Sequence, residues 1–218
     1  MSGLPHTVSA LRSLLAVRFP AKARKPGGGV AAGVRSLDEA LGGGLPAGRL
    51  TELVSAAPSA GGQTVIARLL EATQAARQRV ALIDAADAFA PDAVAPDLLR
   101  HLVWARCRSP EQAFAVADIL VRDGNYAVLV LDLRGGAERA LRRTPAATWY
   151  RLQRAAEGGS VAVLVQTTIP LVPAVPWRLV RGASLPLART AAERAAVAEG
   201  LAVQTERSPA AVLEELAG

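Results

Sequence analysis

The sequence has a single cysteine, Cys107, among 218 residues. That excludes a disulfide framework and a cysteine-built zinc site, and makes a reducing compartment the natural setting. Histidine is almost as scarce: His6 and His101 lie far apart with no Cys or His neighbour at ligand spacing, so no metal site is expected. Neither a serine nor Cys107 lies in a nucleophile-elbow pattern. Arg, Gln, Asp or Pro interrupts every apolar stretch before the roughly 18 to 20 residues needed to cross a bilayer, so no membrane span is expected. The first 20 residues lack an early basic cluster ahead of a continuous apolar segment, and no small-residue cleavage site follows, so a cytoplasmic chain is expected. Lysine stops at Lys25, and every later basic residue is arginine.

What is present suits one well-filled core: 51% of residues are hydrophobic and only 20% charged. The net charge of +6 and the pI near 10.6 make an anionic partner, including nucleic acid, a natural expectation.

Three segments follow from patterning. Residues 1–29 combine an amphipathic helix, Val8 to Phe19 with Leu11, Leu14 and Leu15 on one face, and a basic Gly/Pro linker. Residues 30–206 form the core, and 207–218 a tail expected to be helical. Within the core the spacing predicts strand Leu50 to Val54, helix Thr64 to Gln78, strand Val80 to Asp84, a helix near Asp92 to His101, and strand Leu102 to Arg106. Ser109, Pro110 and Gln112 then supply an N-cap, a first-turn proline and a capping-box partner for a helix that Gly124 ends. Strand Tyr126 to Leu133, helix Ala146 to Glu157 and strand Val161 to Gln166 follow. TTIPLVPAVPW is a loop by its prolines; beyond it WRLV, SLPLA and GLAVQT are candidate short strands, with a helix Thr190 to Glu199. Apolar strands alternating with helices define an α/β fold with a largely parallel sheet between helices.

GVRSLDEALGGGLPAGRLTELV, residues 33–54, resembles the segment that leads into the phosphate loop of RecA-type recombinases. Within that superfamily, LTELV, LVWARCRSPEQAFAVADILVRDG, LRR followed by RLQRAAEGG, and VAVLV fall in the order of the bacterial ImuA proteins, RecA-like paralogues also described as SulA-like. The likeness runs from about Val30 to Gln166. It implies a RecA-like P-loop core whose nucleotide site is degenerate. A working loop has the form GxxxxGK[ST]: backbone N–H groups cradle phosphate, lysine neutralises it and the hydroxyl holds Mg²⁺. Here Ala57 stands at the first glycine, Gly61 and Gly62 close the loop, Gln63 takes the lysine position and Thr64 the hydroxyl. Asp132 resembles the aspartate that acts through Mg²⁺, and Ala86 occupies the place of the catalytic glutamate. Arg68, one turn on, is the nearest substitute cation in the chain. Hydrolysis by the usual mechanism is therefore not expected and no cofactor is required, although the loop's surviving shape leaves weak ATP and Mg²⁺ binding open.

In RecA-like folds the loops after the Asp132 strand and after the next strand face the DNA path. Those loops place Arg134, Arg139, Arg142 and Arg143, and then Trp177, Arg178 and Arg181, as candidate DNA-binding residues; Arg151 and Arg154 continue the first group. The Leu11, Leu14 and Leu15 stripe is a candidate docking element. The resemblance implies a catalytically silent accessory of DNA-damage-induced mutagenesis, nucleoid-associated, with a Y-family polymerase-like protein, an error-prone replicative-type polymerase and RecA as partners, and self-association in reach. The alternatives are an ATP-dependent RecA- or RadA-like recombinase with an unusual loop, and a SulA-like cell-division regulator.

Overall fold

A computed structural model describes residues 28–57, 59–85, 87–182, 184–186 and 193–206. The Leu11, Leu14 and Leu15 stripe, Ala86 and the 207–218 tail lie outside the described residues. A two-residue strand, β1 (Gly29–Val30), pairs antiparallel with β2 (Leu45–Pro46) around helix α1 (Arg35–Ala40). The main elements are β3 (Leu50–Ser55), α2 (Gly62–Ala75), β4 (Val80–Asp84), β5 (Leu102–Arg106), α3 (Pro110–Asp123) and β6 (Val128–Asp132). They continue with α4 (Glu138–Leu141), α5 (Ala146–Glu157), β7 (Ala162–Thr167), β8 (Trp177–Arg181), α6 (Arg194–Glu199) and β9 (Gln204–Glu206).

The seven-stranded sheet runs β5-β4-β6-β7-β3-β8-β9, parallel throughout except for β9, which pairs antiparallel with β8. Strand side chains alternate between two cores, as a period of two requires. Val80, Leu82, Val128, Val130 and Leu164 pack with Val65, Ile66 and Leu69 of α2. Ala81, Ile83, Leu129, Leu131 and Val165 pack with Phe114 of α3 and Trp149 of α5, whose rings meet edge to face at 4.8 Å. Both faces are therefore covered, which is why these strands are apolar along their whole length.

Helix α3 starts where the sequence marks it: Ser109 Oγ accepts from the N–H of Gln112 at 3.3 Å, and Gly124 closes the helix at φ 71°. Gln112 Oε1 accepts from the N–H of Arg108 at 2.8 Å, one residue ahead of the capping-box position. Correction is needed between β4 and β5. The expected helix Asp92 to His101 is two 3-10 turns, Pro91–Ala93 and Leu98–His101, with Val94 extended between them. Pro96 is the cause, because it lacks an N–H and disfavours helical backbone at the residue before it. Near the end of the chain, SLPLA forms no strand over residues 184–186, helix α6 is described only from Arg194, and the last strand is three residues long. Among the described residues no helix is long and apolar enough to cross a membrane.

Candidate functional site

The strands of a parallel sheet end together, and here their last residues bring polar groups into one row: Asp84 sits in register with Asp132, Asp132 with Gln166, and Ser55 with Arg181. A loop then climbs from Ser55 to the start of α2. The N–H of Ala56 donates to the carbonyl of Arg181 at 3.1 Å, and that of Leu185 donates to the carbonyl of Ser59 at 3.1 Å. Gly61 takes φ 83° and ψ 17° as the N-cap of α2, a left-handed conformation that other residues adopt at a cost. As a glycine the N-cap residue supplies no side-chain cap, and the positive end of the helix dipole lies at Gly61 and Gly62.

Gln63 is turned away from the loop. Its Nε2 donates to the carbonyl of Ala88, in the segment after β4, so Gln63 ties two loops together. Arg68 is held elsewhere as well: its Nε donates to the carbonyl of Gly33 at 3.0 Å, and its Nη1 pairs with Glu71. Thr64 is half-buried.

The floor of the loop is an ion pair. Asp132 is 1% exposed and receives three hydrogen bonds from Arg134: from the backbone N–H at 3.2 Å, Nε at 2.9 Å and Nη2 at 2.6 Å. The third guanidinium nitrogen, Nη1, lies only 1.6 Å from where a β-carbon on Gly62 would be. A side chain at this position would have to displace the Arg134 guanidinium that fills the space. Gln166 Oε1 stands 2.8 Å from the same point and has no hydrogen-bond partner.

Two further carboxylates on this edge serve structure. Asp84 accepts from the N–H groups of Ala88 and Phe89 at 2.9 Å each and from Trp104 Nε1 at 3.3 Å. Glu52, fully buried within β3, accepts from the N–H groups of Leu171 at 2.7 Å and Val172 at 3.1 Å, and from Arg178 Nε at 2.6 Å. Arg178 Nη2 donates to the carbonyl of Val172 at 2.7 Å. The proline-rich loop after β7 is therefore fastened to a strand that precedes it by more than a hundred residues.

The arginines grouped by sequence divide accordingly. Arg139, Arg142 and Arg143 are exposed on and beside α4, Arg142 pairing with Glu138 at 2.8 Å. Arg134 and Arg178 are committed to Asp132 and Glu52 instead. Arg181 is 4% exposed, and among the described residues its Nε and Nη1 have no hydrogen-bond partner. Trp177 is half-buried at the start of β8. Arg151 approaches Asp118 at 3.7 Å, while Glu157 bonds to Arg49 at 3.0 Å. An open groove of about 760 Å³ runs along α5, bordered by Tyr150, Arg151 and Arg154 with Arg122 of α3. Sequence reasoning missed the roles of Glu52 and of Arg134 as the partner of Asp132. Two-residue spacing on a strand end was the only signal for the second, and it does not fix where a long side chain turns. No group of three or more His, Cys, Asp or Glu side chains placed to hold a metal occurs among the described residues.

A central parallel strand, a glycine-ended loop, a helix opening on that loop and an aspartate closing a nearby strand define a RecA-like α/β core. The RecA N-terminal domain family model matches residues 17–137, more than half of the chain, and the chain belongs to that family. It is similar to the RecA protein of Nocardia farcinica, 37% identical over 123 residues, which are 53% of this chain and 34% of that protein. It is likewise similar to RecA of Rubrobacter xylanophilus, 37% identical over 108 residues (47% and 30%), and of Rhodococcus opacus, 38% over 116 residues (50% and 32%). The chain thus spans about a third of the length of these curated relatives.

Proposed function

We propose that this protein is a catalytically silent RecA-like accessory of DNA repair, of the ImuA type, which works in damage-induced mutagenesis by contacting DNA and other proteins. The observation that carries the reading is the Arg134–Asp132 pair beneath a loop with no lysine. A magnesium-bound triphosphate needs a cation on its terminal phosphates and a carboxylate free to act through the metal. Gln63 carries no charge and spends its amide on Ala88, while the Asp132 carboxylate is already bracketed by a guanidinium. The donor set does not fit that ligand. The rival recombinase reading requires a substitute cation, and Arg68 faces Gly33 and Glu71 instead.

DNA contact rests on the exposed Arg139, Arg142 and Arg143, with Arg151, Arg154 and Tyr150 along the α5 groove. Guanidinium groups there reach phosphates, and the half-exposed Tyr150 ring offers a stacking face. By resemblance, the protein partners are a Y-family polymerase-like protein, an error-prone replicative-type polymerase and RecA. The test is phosphate release from ATP with Mg²⁺, with and without single-stranded DNA. No turnover above a protein-free control is expected. Robust Mg²⁺-dependent turnover that disappears in Thr64→Ala would overturn the silent reading.

A further inference from the structure

Helix α4 is a single turn of four residues, too short to hold its own direction in water. It nonetheless carries Arg139 and, at its C-cap, Arg142, with Arg143 next along the chain, and all three are exposed. Their aim must come from outside the helix. Two inward anchors bracket it. Downstream, Leu141 is 2% exposed and packs in the core of Phe114 and Trp149, with Gly136 folded so close that a β-carbon there would stand 3.2 Å from Leu141 Cδ1. Upstream the anchor is Arg134, which turns toward the start of α2 instead.

Arg134 gathers three strand ends. Its Nε and Nη2 hold the Asp132 carboxylate at the end of β6, and its own N–H donates to the same carboxylate at 3.2 Å, which closes the chain into a turn as it leaves the strand. Its Nη1 covers Gly62 at the first turn of α2. Gln166 on β7, in register with Asp132, reaches the carbonyl of Gly62 from Nε2 at 3.5 Å, and its Oε1 stands 2.8 Å from the β-carbon position that Nη1 crowds. With its side chain 16% exposed and its nitrogens turned inward, Arg134 is not itself placed to touch a polyanion.

We propose that Arg134 is a positioning residue for DNA contact: a built-in latch that seats the loop after β6 against the start of α2, and so presents Arg139, Arg142 and Arg143 with no nucleotide taking part. The inference rests on the reading of those three arginines as a DNA contact and adds how that contact is controlled. A loop ordered by a bound ligand loses its order when the ligand leaves. This loop is ordered by its own guanidinium, so the entropy of fixing it is lost on folding and not on binding DNA.

The full chain is titrated with fluorescein-labelled oligothymidine by anisotropy, in Mg²⁺ alone, Mg²⁺ with ADP and Mg²⁺ with ATP, over a series of chloride concentrations. Affinity is expected to agree within about threefold across the three conditions, and a larger change with either nucleotide overturns the proposal. Arg134→Ala should weaken binding by roughly fivefold or more, the scale of ordering one or two side chains anew, while leaving the log–log salt slope unchanged. In the variant that already lacks Arg139, Arg142 and Arg143, removing Arg134 should add nothing further. An Arg134 that touched phosphate itself would lower the slope, and one that served stability alone would leave affinity unchanged in the folded variant; either result overturns the latch. Should Arg134→Ala fail to fold, the comparison of nucleotides on the wild-type chain decides by itself. If the wild-type chain binds no DNA, the DNA reading fails, and amide hydrogen exchange separates the latch from it. Arg134→Lys, which keeps a charge beside Asp132 without the paired bonds, must then quicken exchange at residues 135–143 and at Gly62 and Gln63 together, and unchanged exchange there means that no latch exists.

Discussion

The loop after β6 and the strand after the β7 loop both carry clustered arginines, and they spend them differently. After β6, one guanidinium turns inward to Asp132 and three stay in solvent. At β8, Arg178 enters the fold to hold the preceding loop through Glu52, and Arg181 is buried with its Nε and Nη1 unpartnered among the described residues. Both segments follow a strand of the central sheet or its loop and carry basic residues of one kind, so residue type and place in the chain do not tell an outward-facing arginine from a structural one. What separates them is whether a buried carboxylate lies within reach.

The largest effect is expected where that carboxylate is removed. Glu52→Ala leaves Arg178 and the N–H groups of Leu171 and Val172 without their acceptor inside the protein, and should cost about 3–5 kcal/mol in denaturant unfolding. The double variant with Arg178→Ala should recover part of that loss, because no unpaired charge remains. A loss below about 0.5 kcal/mol for Glu52→Ala would place the pair among ordinary surface ion pairs and dissolve the contrast.

Next comes the other inward arginine. Arg134→Ala strands the Asp132 carboxylate, which is 1% exposed, and empties the space over Gly62. Since the Arg134 side chain is itself partly solvated, at 16% exposure, the expected cost is smaller, about 2–3 kcal/mol. Chemical denaturation of Arg134→Ala, Asp132→Asn and their combination measures it. Strict additivity of the two single losses would show that the two groups do not act as a pair.

The smallest effect on stability belongs to the outward group. Arg139, Arg142 and Arg143 replaced together by Ala should change unfolding free energy by no more than about 0.5 kcal/mol each. The same variant should bind DNA more weakly and flatten its salt dependence, by about 0.7 to 0.9 of a log–log unit for each phosphate that an arginine no longer neutralises. Unchanged affinity and slope in the folded variant would make this helix face simply solvated.

Most of the fold is legible in the sequence because its signals are local. Apolar runs such as Val128 to Leu131, short and rich in β-branched residues, suit strands buried on both faces, and Ser109 with Gly124 brackets α3 by backbone chemistry that needs no tertiary partner. The failed helix at Asp92 to His101 is legible in principle, since Pro96 stands inside it, but the apolar spacing across the segment points the other way. The site is legible only in outline. Gln63 and Asp132 stand out by position, whereas the destinations of Arg134, Arg178 and Arg181 depend on side chains that reach across strands distant in sequence. Strand parity places Arg178 and Arg181 on opposite faces, but it does not say that Glu52 awaits one and nothing among the described residues the other.

The guanidinium seated over Gly62 also limits which substitutions the loop can take. A lysine placed at position 63 would stand near an aspartate already neutralised, and would have to forgo the bond by which Gln63 joins the loop to Ala88. Removing Arg134 first would leave a buried charge and a void before any gain arrived. Gln63, Asp132 and Arg134 are therefore held by the contacts each makes, so that a single substitution at any of them gives up a bond before it alters what the loop can do.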